Sequence, residues 1–454
     1  MGHRRRHKEK TSNITPQFVS ERIGLILLYG TFGLLMFGPL AFGAVEPWSI
    51  FVVETGAVAL TLLWLAQQRL EGEVNILWNP LFLPMAAFAV LIAIQLVFRI
   101  SAYRHDTIAG AMLYCAYGML CFLVTQTLQR SSQARRIAVI LGLYGITLAS
   151  FALLQGLSPN GKLFWVRTPR LGGWIYGPYV NHNHYAGLME LLAPIPLIIS
   201  LSRMAHEKVR LVAGIGAAIM VGTVFLCGSR GGMIAIFVEL IVLAVVFFRQ
   251  KKSVRIALSV GAFAVVLVSL LVWLGGKELT VRVSSISKET RSEISGGMRL
   301  SIDRDTLQMF RQKPVIGWGL GAFPVVYPQF RSFYTNFFVN EAHNDYLQLL
   351  AEMGVLGFAT MIWFQAIVFL RVRRKIGNWT TNVSAATALA CALSAAGILV
   401  HSLVDFNLQI PANAALFYAL CSIAAAPPLL QRTRKRKPVS TDEKEEELPA
   451  SEVV

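Results

Sequence analysis

Apolar runs of roughly twenty residues recur from about residue 22 to residue 430, and they constrain this chain more than any other feature. A helix that crosses a bilayer needs about that many residues, since it rises about 1.5 Å per residue and must satisfy its own backbone polar groups. The runs fall near 22–44, 48–67, 79–98, 107–126, 136–157, 184–203, 209–227, 231–248, 255–275, 344–370, 383–403 and 411–430. They predict an all-α polytopic membrane protein of about 12 transmembrane helices. Composition agrees, with 55% of residues hydrophobic and 15% charged, whereas a soluble chain carries about 25% charged residues.

A net charge of +17 raises the question of nucleic acid, but the distribution of the charge excludes it as a partner. The basic residues cluster in short connections between runs, among them Arg69, Arg130, Arg135 and Arg136, then Arg203, Lys208 and Arg210, and later Arg371, Arg373, Arg374 and Lys375. If the N-terminus is inside, every even-numbered connection is basic, as the positive-inside rule requires; Arg99 and Arg104 form the one short exception. Residues 1–21 then read as a basic cytoplasmic tail, 22–430 as the membrane domain and 431–454 as a charged cytoplasmic tail. The five cysteines lie in or beside apolar runs and show no metal spacing.

This topology turns four polar segments outward: 158–183, the turn Gly228-Ser-Arg230-Gly-Gly232, a long loop at about 276–343, and Asp405-Phe-Asn-Leu-Gln409. The long loop carries a candidate amphipathic helix from Arg299 to Gln312, with Leu300, Ile302, Leu307 and Phe310 as a lipid-facing stripe, and Pro314 stops it. Arg230 reads either as an interfacial anchor or as an anion clamp, since a guanidinium fork matches phosphate oxygens. His343, where the loop re-enters the membrane, is either a structural histidine or a general base. Asp303 and Asp305 resemble a metal-binding pair, yet residues two apart on a helix point in different directions, so no metal is expected there. His182 and His184 have no third ligand at a metal spacing. Aromatic residues of both long loops stack on sugars or form an interfacial belt. Glu54, Glu190, Glu239 and Glu352 lie deep in their runs and are expected to face a polar cavity or to hold Arg230 or Arg299.

The ordered pieces Gly228-Ser-Arg230-Gly-Gly, Gly297-Met-Arg299, Pro314-Val-Ile-Gly317-Trp-Gly319 and His343-Asn-Asp-Tyr-Leu-Gln-Leu-Leu-Ala-Glu352-Met-Gly354 resemble the O-antigen ligase and polymerase superfamily, over about 180–410. Asn181-His-Asn183-His184 and His401-Ser-Leu-Val-Asp405-Phe-Asn look like a branch that serves exopolysaccharide assembly. The resemblance implies a membrane glycosyltransferase that moves a glycan from an undecaprenyl-diphosphate carrier to an acceptor hydroxyl, on the outer face of a bacterial inner membrane. It implies lipid A–core as the acceptor of a ligase and another lipid-linked repeat unit as that of a polymerase, with no cofactor and no metal. Arg230 and Arg299 would bind the diphosphate and His343 would act on the acceptor. Asn181, Asn183, His184, Tyr179, Asn344, Glu190 and Glu352 are the candidate substrate contacts, and polysaccharide assembly machinery is a candidate partner. A transporter of lipid-linked glycans remains an alternative, although its polar helix breaks would belong near mid-membrane.

Overall fold

The computed structural model describes residues 16–169, 173–249, 296–335 and 338–430. The chain folds into α1 (Pro16–Leu40), α2 (Pro47–Glu71), α3 (Phe82–Val97), α4 (Arg104–Thr127), α5 (Ser131–Leu157), α6 (His182–Leu192), α7 (Pro194–Leu201), α8 (Glu207–Leu226) and α9 (Arg230–Arg249). After the second gap come α10 (Gly296–Gln312), α11 (Asp345–Lys375), α12 (Val383–His401) and α13 (Pro411–Ala425). Starts are marked by local chemistry. Pro47, Pro194 and Pro411 stand in the first turn, where a missing N–H costs nothing, and Asn181, Asn344 and Asn382 cap α6, α11 and α12 through their side-chain oxygens.

The protein is an all-helical polytopic membrane protein. Among the described residues nine helical segments are long and apolar enough to cross a membrane, α6 and α7 counting as one, and α3 and α13 are shorter apolar helices. The expected run at 255–275, most of the N-terminal tail and the C-terminal tail lie outside the described residues. Every other expected run coincides with a helix.

The helices alternate in direction, so α2, α4, α6, α9, α11 and α13 begin at one end of the bundle. The basic connections holding Arg130, Arg135, Arg203, Lys208 and Arg371–Lys375 fall at the other end. Alanine-rich α12 runs through the middle and packs against α6, α7, α9, α11 and α13. Its small side chains allow close approach, which drives helix association where lipid removes the hydrophobic incentive.

One helix is broken to receive the long loop. Gly354 in α11 has φ +64°, and a Cβ there would lie 2.3 Å from Val315 O. Across this break Val355 N donates to Pro314 O (2.8 Å), while Trp318 N and Gly319 N donate to Ala351 O (3.0 Å) and Glu352 O (2.9 Å). The Glu352 carboxylate accepts from Gly321 N (2.9 Å) and Phe323 N (3.1 Å), and Gln95 Nε2 donates to Ile316 O (2.8 Å). Two motifs far apart in sequence thus form one knot that fixes the loop to the bundle. Above it, α10 buries Ile302 and Met309 against Phe323, Tyr327 and Ala351. Ile302 therefore belongs to the core of the loop and not to a lipid-facing stripe, because the 323–330 segment folds beneath the helix and takes its apolar side.

Candidate active site

Two turns meet at the end of the bundle where α11 begins. Asp345, the first residue of α11, accepts from Ser402 Oγ (2.7 Å), Leu408 N (3.1 Å) and Gln409 Nε2 (3.1 Å), and its own N–H reaches Ser402 O (3.0 Å). These bonds lock the entry of α11 to the turn that follows α12. His343 precedes the Asn344 cap and takes φ +55°, a left-handed conformation that a non-glycine residue holds at a cost of about 1–3 kcal/mol. That conformation is over-determined by the cap on one side and by Gln348 Oε1 accepting from Ala342 N (2.9 Å) on the other. Such strain fixes where the imidazole stands.

The turn after α12 carries Asp405, 1% exposed, on which three basic side chains converge. His184 Nε2 lies 3.8 Å from Oδ1, His343 Nδ1 3.9 Å from Oδ1, and Arg299 Nη2 3.9 Å from Oδ2. Phe406 packs its ring against both imidazoles, at 4.6 Å from His184 and 4.8 Å from His343. Arg299 is anchored by Nη1 donating to Val404 O (2.8 Å), while its Nε and His343 Nδ1 are buried without a hydrogen-bond partner among the described residues. Burial lowers the His343 pKa to about 4, with Arg299 adding to the effect and Asp405 opposing it. Burial would raise the Asp405 carboxyl, but His184, His343, Arg299 and His401 outweigh it and hold the group below its ordinary value. With His343 neutral near pH 7, Arg299 is the standing charge partner of Asp405. Two imidazoles and an anchored guanidinium around one carboxylate can move a proton and bind an anion.

Arg230 is exposed at the head of α9. The two residues after it rest on a buried polar pair, His401 Nδ1 and Glu190 Oε1, 2.8 Å apart. A Cβ on Gly231 would stand 2.5 Å from His401 Cδ2, and one on Gly232 would stand 3.1 Å from Glu190 Oε1. Glycine is required at both positions for the Arg230 turn to approach the pair so closely. His401 also accepts, through its carbonyl, from Asp405 N (3.1 Å), so the same residue supports both the Arg230 turn and the Asp405 turn.

The other sequence candidates are placed as follows. Asn181 caps α6 through Oδ1 to Asn183 N (2.8 Å), and its Nδ2 comes within 3.5 Å of His184 Nε2. Asn344 uses its oxygen on Tyr346 N and Leu347 N, both at 3.2 Å. Tyr179 is buried, with its hydroxyl donating to Asn413 Oδ1 (2.7 Å), and Glu352 spends its carboxylate on backbone amides of the loop. Of the four deep carboxylates, expected to face a polar cavity or to hold Arg230 or Arg299, Glu190 pairs with a histidine and Glu352 with backbone amides. Asp305 accepts from Tyr327 Oη (3.2 Å) and Ser332 N (3.0 Å) inside the loop, while Asp303, raised to about 6 by burial, feels Arg299 one turn back. Sequence reasoning did not nominate Asp405 or His401 as site residues. The signal that could have found them is the crowding of His401, Asp405 and Asn407 into one turn between two apolar runs.

Beside the site, α3, α4, α11 and α13 enclose a cavity of about 220 Å³. Phe88, Tyr114, Leu349 and Phe364 line its apolar length, and Asp345 and Gln409 form its polar lining next to the site. Residues 215–362 match the family model described as O-antigen ligase. That match supports a relationship to the O-antigen ligase and polymerase superfamily. The matched stretch contains Arg230, Arg299, His343 and the Gly354 break, and it stops before Asp405. No curated protein matches the chain.

Proposed function

We propose that this membrane enzyme transfers a glycan from an undecaprenyl-diphosphate carrier to an acceptor hydroxyl, with Asp405, His343 and Arg299 as the core of its site. The observation that carries this reading is the convergence of Arg299 and His343 on one buried carboxylate at the end of the bundle. The acceptor oxygen attacks the anomeric carbon, a new C–O bond forms there, and the bond from that carbon to the diphosphate breaks. The acceptor's proton passes to His343. With Nδ1–H directed at Asp405, Nε2 is the nitrogen left to receive it, and the carboxylate steadies the imidazolium that results. A separation of 3.9 Å is looser than a hydrogen bond, and catalytic contacts commonly tighten only when substrate binds. Arg299, together with Arg230 at the head of α9, neutralises the charge that grows on the departing diphosphate. Asn181, Asn183 and His184 border the acceptor side of the same turns.

The cavity beside Asp345 gives an isoprenoid tail a lateral place close to the reacting groups. The gathering of arginines and lysines at the opposite end of the bundle supports an outward site and cytoplasmic termini. Purified protein with a lipid-linked donor and an acceptor tests the reading. Covalent product that disappears in His343→Ala and Arg299→Ala, with monodisperse elution retained, supports transfer; undiminished product in both rejects it. Movement of donor without a new glycosidic bond would favour a transporter. Lipid A–core or a second repeat unit as the productive acceptor separates ligase from polymerase.

A further inference from the structure

At the end of the bundle opposite Asp405, the start of α5, the end of α7 and the start of α12 leave a second gap of about 300 Å³. Its walls are apolar or small, with Ile137, Ile198, Ala138 and Ala386 among them. Among the described residues its polar lining is confined to Arg135, Ser202 and His206 at the helix ends and Thr387 on α12, and no carboxylate lines it. The Arg135 and His206 side chains are exposed and have no hydrogen-bond or ion-pair partner among the described residues. The N-termini of α5 and α8 begin at the same rim and add partial positive charge. Glu207, next to His206, is exposed and does not line the gap.

An apolar slot with an unpartnered arginine and histidine only at its mouth, at the level where spanning helices end, matches one kind of molecule. We infer that this gap binds an anionic phospholipid, with an acyl chain between α5, α7 and α12 and the phosphate beside Arg135 and His206. Basic pockets between spanning helices are known to select acidic headgroups. A soluble phosphate would meet the rim but leave the apolar slot unfilled, which favours a lipid. The site is separate from glycan transfer and lies at the far end of the same helices.

The test uses full-length protein in nanodiscs of phosphatidylethanolamine containing a minor fraction of phosphatidylglycerol, with retained lipid read by native mass spectrometry. Wild type should hold phosphatidylglycerol in excess of its share. Arg135→Gln should lower that excess about fivefold, and Arg135→Gln/His206→Gln should abolish it, while Arg136→Gln, outside the gap, leaves it intact. Ala138→Trp should expel the lipid whatever its headgroup. Both side chains are exposed, so the double variant decides the matter even if the tryptophan variant does not fold. Bound lipid that follows bulk composition in wild type, or an unchanged excess in the double variant, overturns the inference. Transfer activity is not the readout, so failure here leaves the proposed reaction untouched.

Discussion

The carboxylate of Asp405 faces His343 Nδ1 across 3.9 Å, and that nitrogen has no hydrogen-bond partner among the described residues. A modest side-chain adjustment would close the gap, which makes the pair an orienting contact held ready. In Asp405→Asn the imidazole loses its preferred tautomer and Arg299 loses its counter-charge. The rate of glycan transfer should fall at least about tenfold with a smaller change in KM. His343→Ala should cost about 10²–10⁴-fold. Equal rates for wild type and Asp405→Asn in a donor–acceptor assay would remove Asp405 from the mechanism.

The acidity of His343 gives a second expectation. Held near 4, the imidazole stays neutral and able to accept a proton down to about pH 5, so transfer should be level between about pH 6 and 8 and fall only in stronger acid. Arg299 lowers this pKa and Asp405 raises it, so Arg299→Gln should move the acid limb upward and Asp405→Asn should move it downward. For stability the sign is the depressed-pKa case: the unfolded histidine, at 6.5, takes a proton before the folded one. The contribution is therefore present above 6.5 and lost as pH falls from there toward 4. Wild type should therefore lose thermal stability relative to His343→Gln as pH falls across that range; parallel curves would contradict it.

The Glu190–His401 pair predicts a stability effect with an unusual partner dependence. Both groups are buried in apolar helices, so Glu190→Ala or His401→Ala alone leaves an unpaired polar group in the core. Each should destabilise by about 3–5 kcal/mol. Glu190→Leu/His401→Leu together should cost less than the sum, and thermal denaturation in detergent measures the cycle. Additive losses would show that the 2.8 Å contact carries no coupling.

Gly354→Ala places a Cβ 2.3 Å from Val315 O at a positive φ. The strain, about 1–3 kcal/mol before any clash, should loosen the 314–323 segment. Limited proteolysis there should quicken in the variant, and unchanged cleavage would mean that the break is not fastened by the loop.

Much of this architecture could be read from residue order because hydrocarbon imposes a length on every apolar run, and that length survives folding. Arg299 and His343 were also legible, as rare polar groups flanking the loop. What pattern could not supply was pairing. The depth argument put Glu352 away from lipid, against a polar cavity or a cationic partner, but its partners are backbone amides of Gly321 and Phe323, which leave no mark in sequence. Asp405 was visible only as one member of a polar turn. Its importance arises because Asp345 staples that turn to the entry of another helix, more than fifty residues earlier in the chain.

The break at Gly354 has a mechanical outcome. Carbonyls freed by the interruption are already occupied by amides of the Pro314–Gly319 segment, so the upper portion of that helix and the loop above it form one solid piece. Any swing that admits a bulky lipid-borne sugar must pivot below the glycine, and it would carry His343 along as cargo.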